Sequence, residues 1–261
     1  MPATALSVFR SALLSVAFAP ACALAAIFGI DDRVTAPGNE LAAIGILTGG
    51  ANVVYGSGFL IDPCTVLSAR HVGGEVEQLV GTELTFHAGK LAATGRVIAA
   101  GPFQPGPPFL RAIGKDWMIV RLRRCLGRKL GFLRLSTAAA VFAGRNKFEV
   151  EDAGFPRDRP LGAGLTVDPD CRLLWVGGGR IAHDCATLPG NSGGPLLARD
   201  SIGWVVIGIN AAGADRAAPE PFRASEVNLA VDIGTIISEV CSVISSETRN
   251  NLCHDAKLVK R

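Results

Sequence analysis

At 261 residues the chain can hold one large domain or two modest ones around a real core. Its charged fraction is 19% and its net charge +3, a balance that gives no global electrostatic support to a nucleic-acid or membrane-surface role. With 31 Gly and 15 Pro, the composition favours a turn-rich, all-β protein over a helical bundle.

The first 25 residues read as a secretory signal. One positive charge, Arg10, precedes an apolar run over residues 11–19 that is too short to span a bilayer. Pro20 breaks the helix there, and the small residues Ala23 and Ala25 direct cleavage after Ala25. Cys22 leaves with this segment, so the mature chain keeps Cys64, Cys125, Cys171, Cys185, Cys241 and Cys253. An even set in an oxidising compartment reads as disulfides, with 15 connectivities open in principle. Proximity along the chain favours Cys171–Cys185 and Cys241–Cys253, which leaves Cys64–Cys125. A zinc site is the alternative, but no Cys-x-x-Cys pair is present. The expected location is therefore the periplasm or the medium, and no later segment is long and apolar enough to span a membrane.

Short apolar or alternating runs then follow, separated by turn residues. Strands are predicted over residues 41–47, 53–61, 65–68, 84–86, 91–99 and 117–122. A second set falls at 147–153, 165–167, 172–176, 180–182, 196–198, 203–210 and 228–231. This spacing, with little helical periodicity, predicts barrels or sandwiches. The proline-rich stretch 101–115 cannot be a central strand, and the basic cluster 121–129 reads as a solvated loop. The small-residue stretch 135–145 makes a junction between two halves. Apolar residues at helical spacing over 233–244 predict a docked C-terminal helix, and the tail beyond it reads as frayed.

Three segments carry candidate chemistry. "GSGFLIDPCTVLSARHV" runs a strand into His71, "GKDWMIVRL" sets Asp116 before an apolar strand, and "PGNSGGPLL" frames Ser192 with glycines. Acyl transfer by a serine needs a nucleophile, a base, a group that orients the base, and amide donors for the oxyanion. Each piece alone is common, as a glycine-rich turn, a histidine after a strand or an acid before one. Gly190-Asn191-Ser192-Gly193-Gly194 also fits the nucleophile elbow of α/β-hydrolases. That fold needs its acid and then its histidine after the serine, yet only His254 follows Ser192. "GGPLLAR" is also a poor helix start. Asp31, Asp32, Asp62 and Asp184 could orient a histidine, but none precedes an apolar strand after His71 as Asp116 does. His87 reads as a surface residue and His183 as a loop histidine beside a disulfide.

In the order His, Asp, Ser, the three blocks resemble the trypsin-like serine peptidases of the chymotrypsin fold. The resemblance implies two antiparallel Greek-key β-barrels with the active site between them and no cofactor or metal. It divides the chain into the signal (1–25), a first barrel (26–138) with His71 and Asp116, a second barrel (139–232) with Ser192, and a C-terminal helix and tail (233–261). Ser192 is then the nucleophile, His71 the base, Asp116 its orienting carboxylate, and the amides of Gly190 and Ser192 the oxyanion hole. Substrates are proteins or peptides, and the protein is expected to be a monomer. A catalytically silent relative that binds peptides or a partner in the same cleft is the alternative.

Departures from the digestive enzymes narrow the resemblance. Val72 rather than cysteine follows His71, and Asn191 rather than aspartate precedes Ser192. Zymogen members use that aspartate to pair with a freshly cut amine, which Asn191 cannot do. Together with "IFGIDDR", this resembles the bacterial glutamyl-endopeptidase-like branch. Alignment on Ser192 implies a substrate pocket formed by Ala186, Thr187, Asn210, Ala211 and Ala212. No acid stands at its base, which disfavours Arg or Lys. Thr187 matches the hydroxyl of glutamate-specific relatives, but Asn210 occupies their histidine position, so small or apolar side chains are equally open.

Overall fold

The computed structural model describes residues 26–49, 55–74, 76–102, 113–160, 163–213 and 227–244. The segment expected to be a signal, most of the proline-rich stretch, Cys253 and the C-terminal residues beyond 244 lie outside them. Alternating and fully apolar runs close into two six-stranded antiparallel barrels, the chymotrypsin-like architecture expected of the sequence.

The first barrel joins β2 (Ile44–Gly49), β3 (Gly56–Asp62), β4 (Thr65–Ser68), β5 (Glu83–Ala88), β6 (Leu91–Ala100) and β7 (Met118–Leu122) in the order β2-β3-β4-β7-β6-β5. In β5 the alternation is clean: Leu84, Phe86 and Ala88 point inward while Glu83 and His87 are exposed. β3 is instead buried along its whole length. One face fills the barrel with Phe59 and Ile61, and the apolar cluster to which they belong continues into the second barrel through Ala153, Leu197 and Ile209.

The second barrel joins β9 (Glu149–Gly154), β10 (Thr166–Gly177), β11 (Arg180–His183), β14 (Asn228–Asp232), β13 (Trp204–Ala212) and β12 (Pro195–Arg199), and β12 closes the ring onto β9. Two short strands join it from outside: β1 (Val34–Thr35) pairs with β10, and β8 (Arg134–Leu135) runs parallel to β13. Although both precede residue 139, they belong by pairing to the second barrel.

Helices are few. α1 (Gly127–Leu130) falls in the basic loop, and α2 (Ala138–Phe142) in the junction. Thr137 caps α2 by accepting from the Ala140 amide at 3.0 Å. α3 (Ile233–Val243) is the expected C-terminal helix; Asp232 caps it through Gly234 N, and Ile233, Ile236 and Val240 are buried. No helix among the described residues is long and apolar enough to cross a membrane.

Disulfides join Cys64 to Cys125 (Cα–Cα 4.1 Å) and Cys171 to Cys185 (Cα–Cα 4.7 Å). Cys241 is also disulfide-bonded. The two strands predicted at 165–167 and 172–176 are one strand, β10, with an irregular register between Asp168 and Cys171. Pro169 sits in that irregularity, where its missing N–H breaks no ladder bond. β2 begins at Ile44 rather than residue 41, because Leu41 and Ala42 are spent in a turn closed by the Ala42 N–H on Asn39 O at 3.1 Å.

Candidate active site

His71 follows β4 on a short 3₁₀ turn, Arg70–Gly73. Arg70 anchors that turn from below: its guanidinium is buried and donates to the carbonyls of Gly101 (3.0 Å), Val76 (2.7 Å) and Glu77 (3.2 Å). Asp116 is fixed between a second 3₁₀ turn, Ile113–Lys115, and β7, with its amide bonded to Ile113 O at 3.0 Å. The two side chains meet. The His71 backbone N–H donates to Asp116 Oδ1 at 2.9 Å, and ring Nδ1 lies 2.6 Å from Oδ2. An ionised carboxylate only accepts, so Nδ1 carries the proton and Nε2 is the basic nitrogen of the neutral ring. Three of the four other candidate acids are engaged elsewhere: Asp31 with Arg33, Asp62 with Cys64 N, and Asp184 with Arg172.

Ser192 lies in the loop between β11 and β12. Two hydrogen bonds fasten this loop to β3 of the other barrel: Ser57 N–H donates to Ser192 O at 2.8 Å, and Ser57 Oγ donates to Gly190 O at 2.7 Å. A Cβ built on Gly56 would lie 2.5 Å from Val72 Cγ2 and 2.9 Å from Ser192 O. The residue after His71 and the carbonyl of Ser192 therefore flank the same point of β3.

The backbone of residues 188–194 explains its glycines. Gly190 has φ +108°, and a Cβ there would lie 2.4 Å from Phe155 O; Gly193 has φ +83°, and its Cβ would strike Ser68 Oγ. In a trans peptide the C=O and N–H point in opposite directions. Pro189 O accepts from Arg157 N at 2.8 Å, and Asn191 O accepts from Gly194 N at 2.8 Å. The N–H groups of Gly190 and Ser192, on the far sides of those two peptides, donate to no acceptor among the described residues. Two free amides thus flank Asn191, the kind of donor pair an oxyanion needs.

The remaining residues proposed from sequence are placed as follows. Asn210 exchanges backbone bonds with the loop, accepting from Gly193 N (2.7 Å) and donating to Gly194 O (2.9 Å). Ala186 N donates to the Asp168 carboxylate, whose pKa is raised by burial. Thr187 N donates to Ala26 O at 3.1 Å. Asn228 clasps the same residue, donating to Ala26 O at 2.8 Å and to Cys185 O at 2.7 Å. Ala211 is buried and Ala212 half-buried at the end of β13. His183 closes β11, opposite Leu173 and Asn228 in the ladder, rather than lying in a loop. Its ring is fully buried, which pushes its pKa down to about 4.

Sequence reasoning missed Ser57 and Asp152. Asp152 is buried on β9, where its carboxylate accepts from the side-chain amides of Asn191 and Asn210. An acid in phase with Val150 on a strand was the available signal, since that phase should be apolar.

The sequence matches the trypsin-like peptidase domain family over residues 56–209, more than half of the chain. A solved structure titled as a Glu endopeptidase in complex with MPD superposes with a TM-score of 0.61 at 14% identity, over 82% of this chain and 98% of that one. None of the curated proteins matches the chain in sequence. A fold of two antiparallel barrels and the family match over the segment holding His71, Asp116 and Ser192 lead to one conclusion: the chain belongs to the trypsin-like peptidases, serine endopeptidases of the chymotrypsin fold.

Proposed function

We propose that the protein is an exported endopeptidase that cuts peptide bonds through an acyl-enzyme on Ser192. Ser192 Oγ attacks the scissile carbonyl while His71 Nε2 takes its proton. The carbonyl oxygen becomes an oxyanion between the Gly190 and Ser192 amides. The C–N bond then breaks, and His71 returns the proton to the leaving amine. Water, deprotonated by the same nitrogen, releases the acid and regenerates the hydroxyl. Asp116 keeps the ring in the required tautomer and stabilises its protonated form.

One observation carries this reading. A histidine held twice by a carboxylate stands beside a strand that is itself bonded to a serine loop with two amides unpaired among the described residues. Base and orienting acid then come from residues 26–138, and nucleophile and oxyanion donors from 139–232. Disulfides in both barrels suit an oxidising compartment and support removal of residues 1–25 on export. Ala186, Thr187, Asn210, Ala211 and Ala212 form the candidate pocket for the residue before the cut. Thr187 gives it a neutral hydroxyl, and Asn210, whose side-chain amide donates to Asp152, adds no charge, which is compatible with glutamate and with small or apolar side chains.

A fluorophosphonate probe tests the assignment: it labels the mature, oxidised protein and leaves Ser192→Ala unlabelled. Labelling of that variant removes Ser192 from the role. Profiling the new N-termini in a digested peptide library then ranks the residues accepted before the cut.

A further inference from the structure

Asp152 is fully buried, and no cation lies within ion-pair distance of its carboxylate among the described residues. It is held by amides alone. Asn191 Nδ2 donates to Oδ2 at 2.5 Å, and Asn210 Nδ2 donates to Oδ1. A carboxylate so placed carries a large desolvation cost, offset only by such donors. Both donors belong to the serine loop or its support. Asn191 is the residue from which the peptides flanking Ser192 and Gly190 diverge, and Asn210 makes the two backbone bonds to Gly193 and Gly194. The backbone of Asp152 completes the node by pairing with Leu196, just after the loop.

We propose that Asp152 is a positioning residue for the loop 188–194: by gripping Asn191 from one side and Asn210 from the other, it fixes the angle between the Gly190 and Ser192 amides. The proposal rests on the peptidase reading above. Ser57 grips the loop from β3 of the first barrel through Gly190 O, so the segment is held from both barrels. In relatives with aspartate before the serine, a carboxylate on the loop waits for an amine that chain cleavage provides. Here the carboxylate stands on β9 and the amide on the loop. The link is complete within the folded chain, so the loop takes its working shape with no further cut.

The test compares Asp152→Leu, which keeps the number and branching of side-chain heavy atoms, adds some volume and removes the grip, with Asp152→Asn, which loses charge but not hydrogen bonding. An amide at 152 accepts from one asparagine and donates to the Oδ1 of the other, both of which are buried without a partner. Asp152→Leu is expected to lose about 100-fold in kcat on a peptide substrate, the scale of one displaced oxyanion donor, with little change in KM. Asp152→Asn is expected to recover most of that rate. Hydrogen exchange of the peptide covering 188–194 accelerates in Asp152→Leu while the first barrel stays protected. Should Asp152→Leu not fold, Asn191→Ala cuts the same link from the loop side and shows the same loss in kcat. Wild-type kcat and loop protection in a folded Asp152→Leu or Asn191→Ala overturn the proposal while leaving the peptidase reading intact. An unlabelled wild-type protein in the fluorophosphonate experiment overturns both.

Discussion

The two barrels share a strand count and differ in what they bury. In the first, buried polar side chains serve backbone groups: Asp62 accepts from Cys64 N, Ser68 donates to Ser57 O, Arg70 fills three carbonyls, and Ser57 reaches across to Gly190 O. Thr65 is also buried there, its hydroxyl without a hydrogen-bond partner among the described residues, and the rest of the interior is built on apolar side chains such as Phe59, Phe86, Leu67 and Ile119. In the second, Asp152, Asn191, Asn210, Asn228 and His183 are all buried. Some of them bond to each other, and both ring nitrogens of His183 and the Oδ1 atoms of Asn191 and Asn210 find no hydrogen-bond partner among the described residues. The difference fits the proposed mechanism. A base needs a stiff platform, which an apolar core provides; a loop that must aim two amides at one point needs directional contacts beneath it.

The sharpest break in this division of labour is loss of either half of the chemistry. Ser192→Ala and His71→Ala each lower kcat by up to about 10⁶-fold, and the double variant is no slower than either single one, because the pair acts as a unit. Single-turnover assays on the three proteins check it. Next comes the platform: Phe59→Ala, fully buried in the first barrel, costs about 3–5 kcal/mol in denaturant unfolding. The folded fraction should keep its kcat. Gly190→Ala does the reverse. Its added methyl meets Phe155 O, the loop rotates, and kcat falls about 10²–10³-fold with smaller loss of stability.

The smallest effect reads the polar interior through pH. Burial pushes Asp152 up to about 7 from its ordinary 3.8, so the native state holds a proton that the unfolded chain has released between these values. Its contribution to stability is present below pH 4 and lost as pH rises towards 7. Burial pushes His183 down to about 4 from 6.5, so the unfolded chain binds the extra proton, and stability is present above 6.5 and lost as pH falls. The two slopes oppose each other between pH 4 and 6.5. Relative to wild type, Asp152→Asn should gain stability with rising pH and His183→Gln should lose it, each by at most about 1.4 kcal/mol per pH unit. Parallel difference curves would remove the opposed titrations assigned to the second barrel's interior.

How much of this the sequence carries depends on whether a role is local. His71, Asp116 and Ser192 each sit in a short motif whose turn chemistry is visible in a few neighbours, and the alternating runs announce both barrels. Ser57 and Asp152 act through partners far along the chain, 133 residues away for Ser57 and Gly190, and 58 for Asp152 and Asn210. No local pattern encodes such a meeting. β8 escaped because two residues are too few to show a period, and β10 read as two strands because Pro169 interrupts its alternation. His183 looked like loop because "HDC" is polar, although the ladder extends to it.

Ser57 has a mechanical consequence. It is rooted in one barrel and holds the serine loop of the other by two bonds, so the seam between the halves and the aim of the hydroxyl move together. Neither half excised alone would keep a competent centre. Anything that wedges the seam open, even at a distance from the cleft, acts as a brake on turnover.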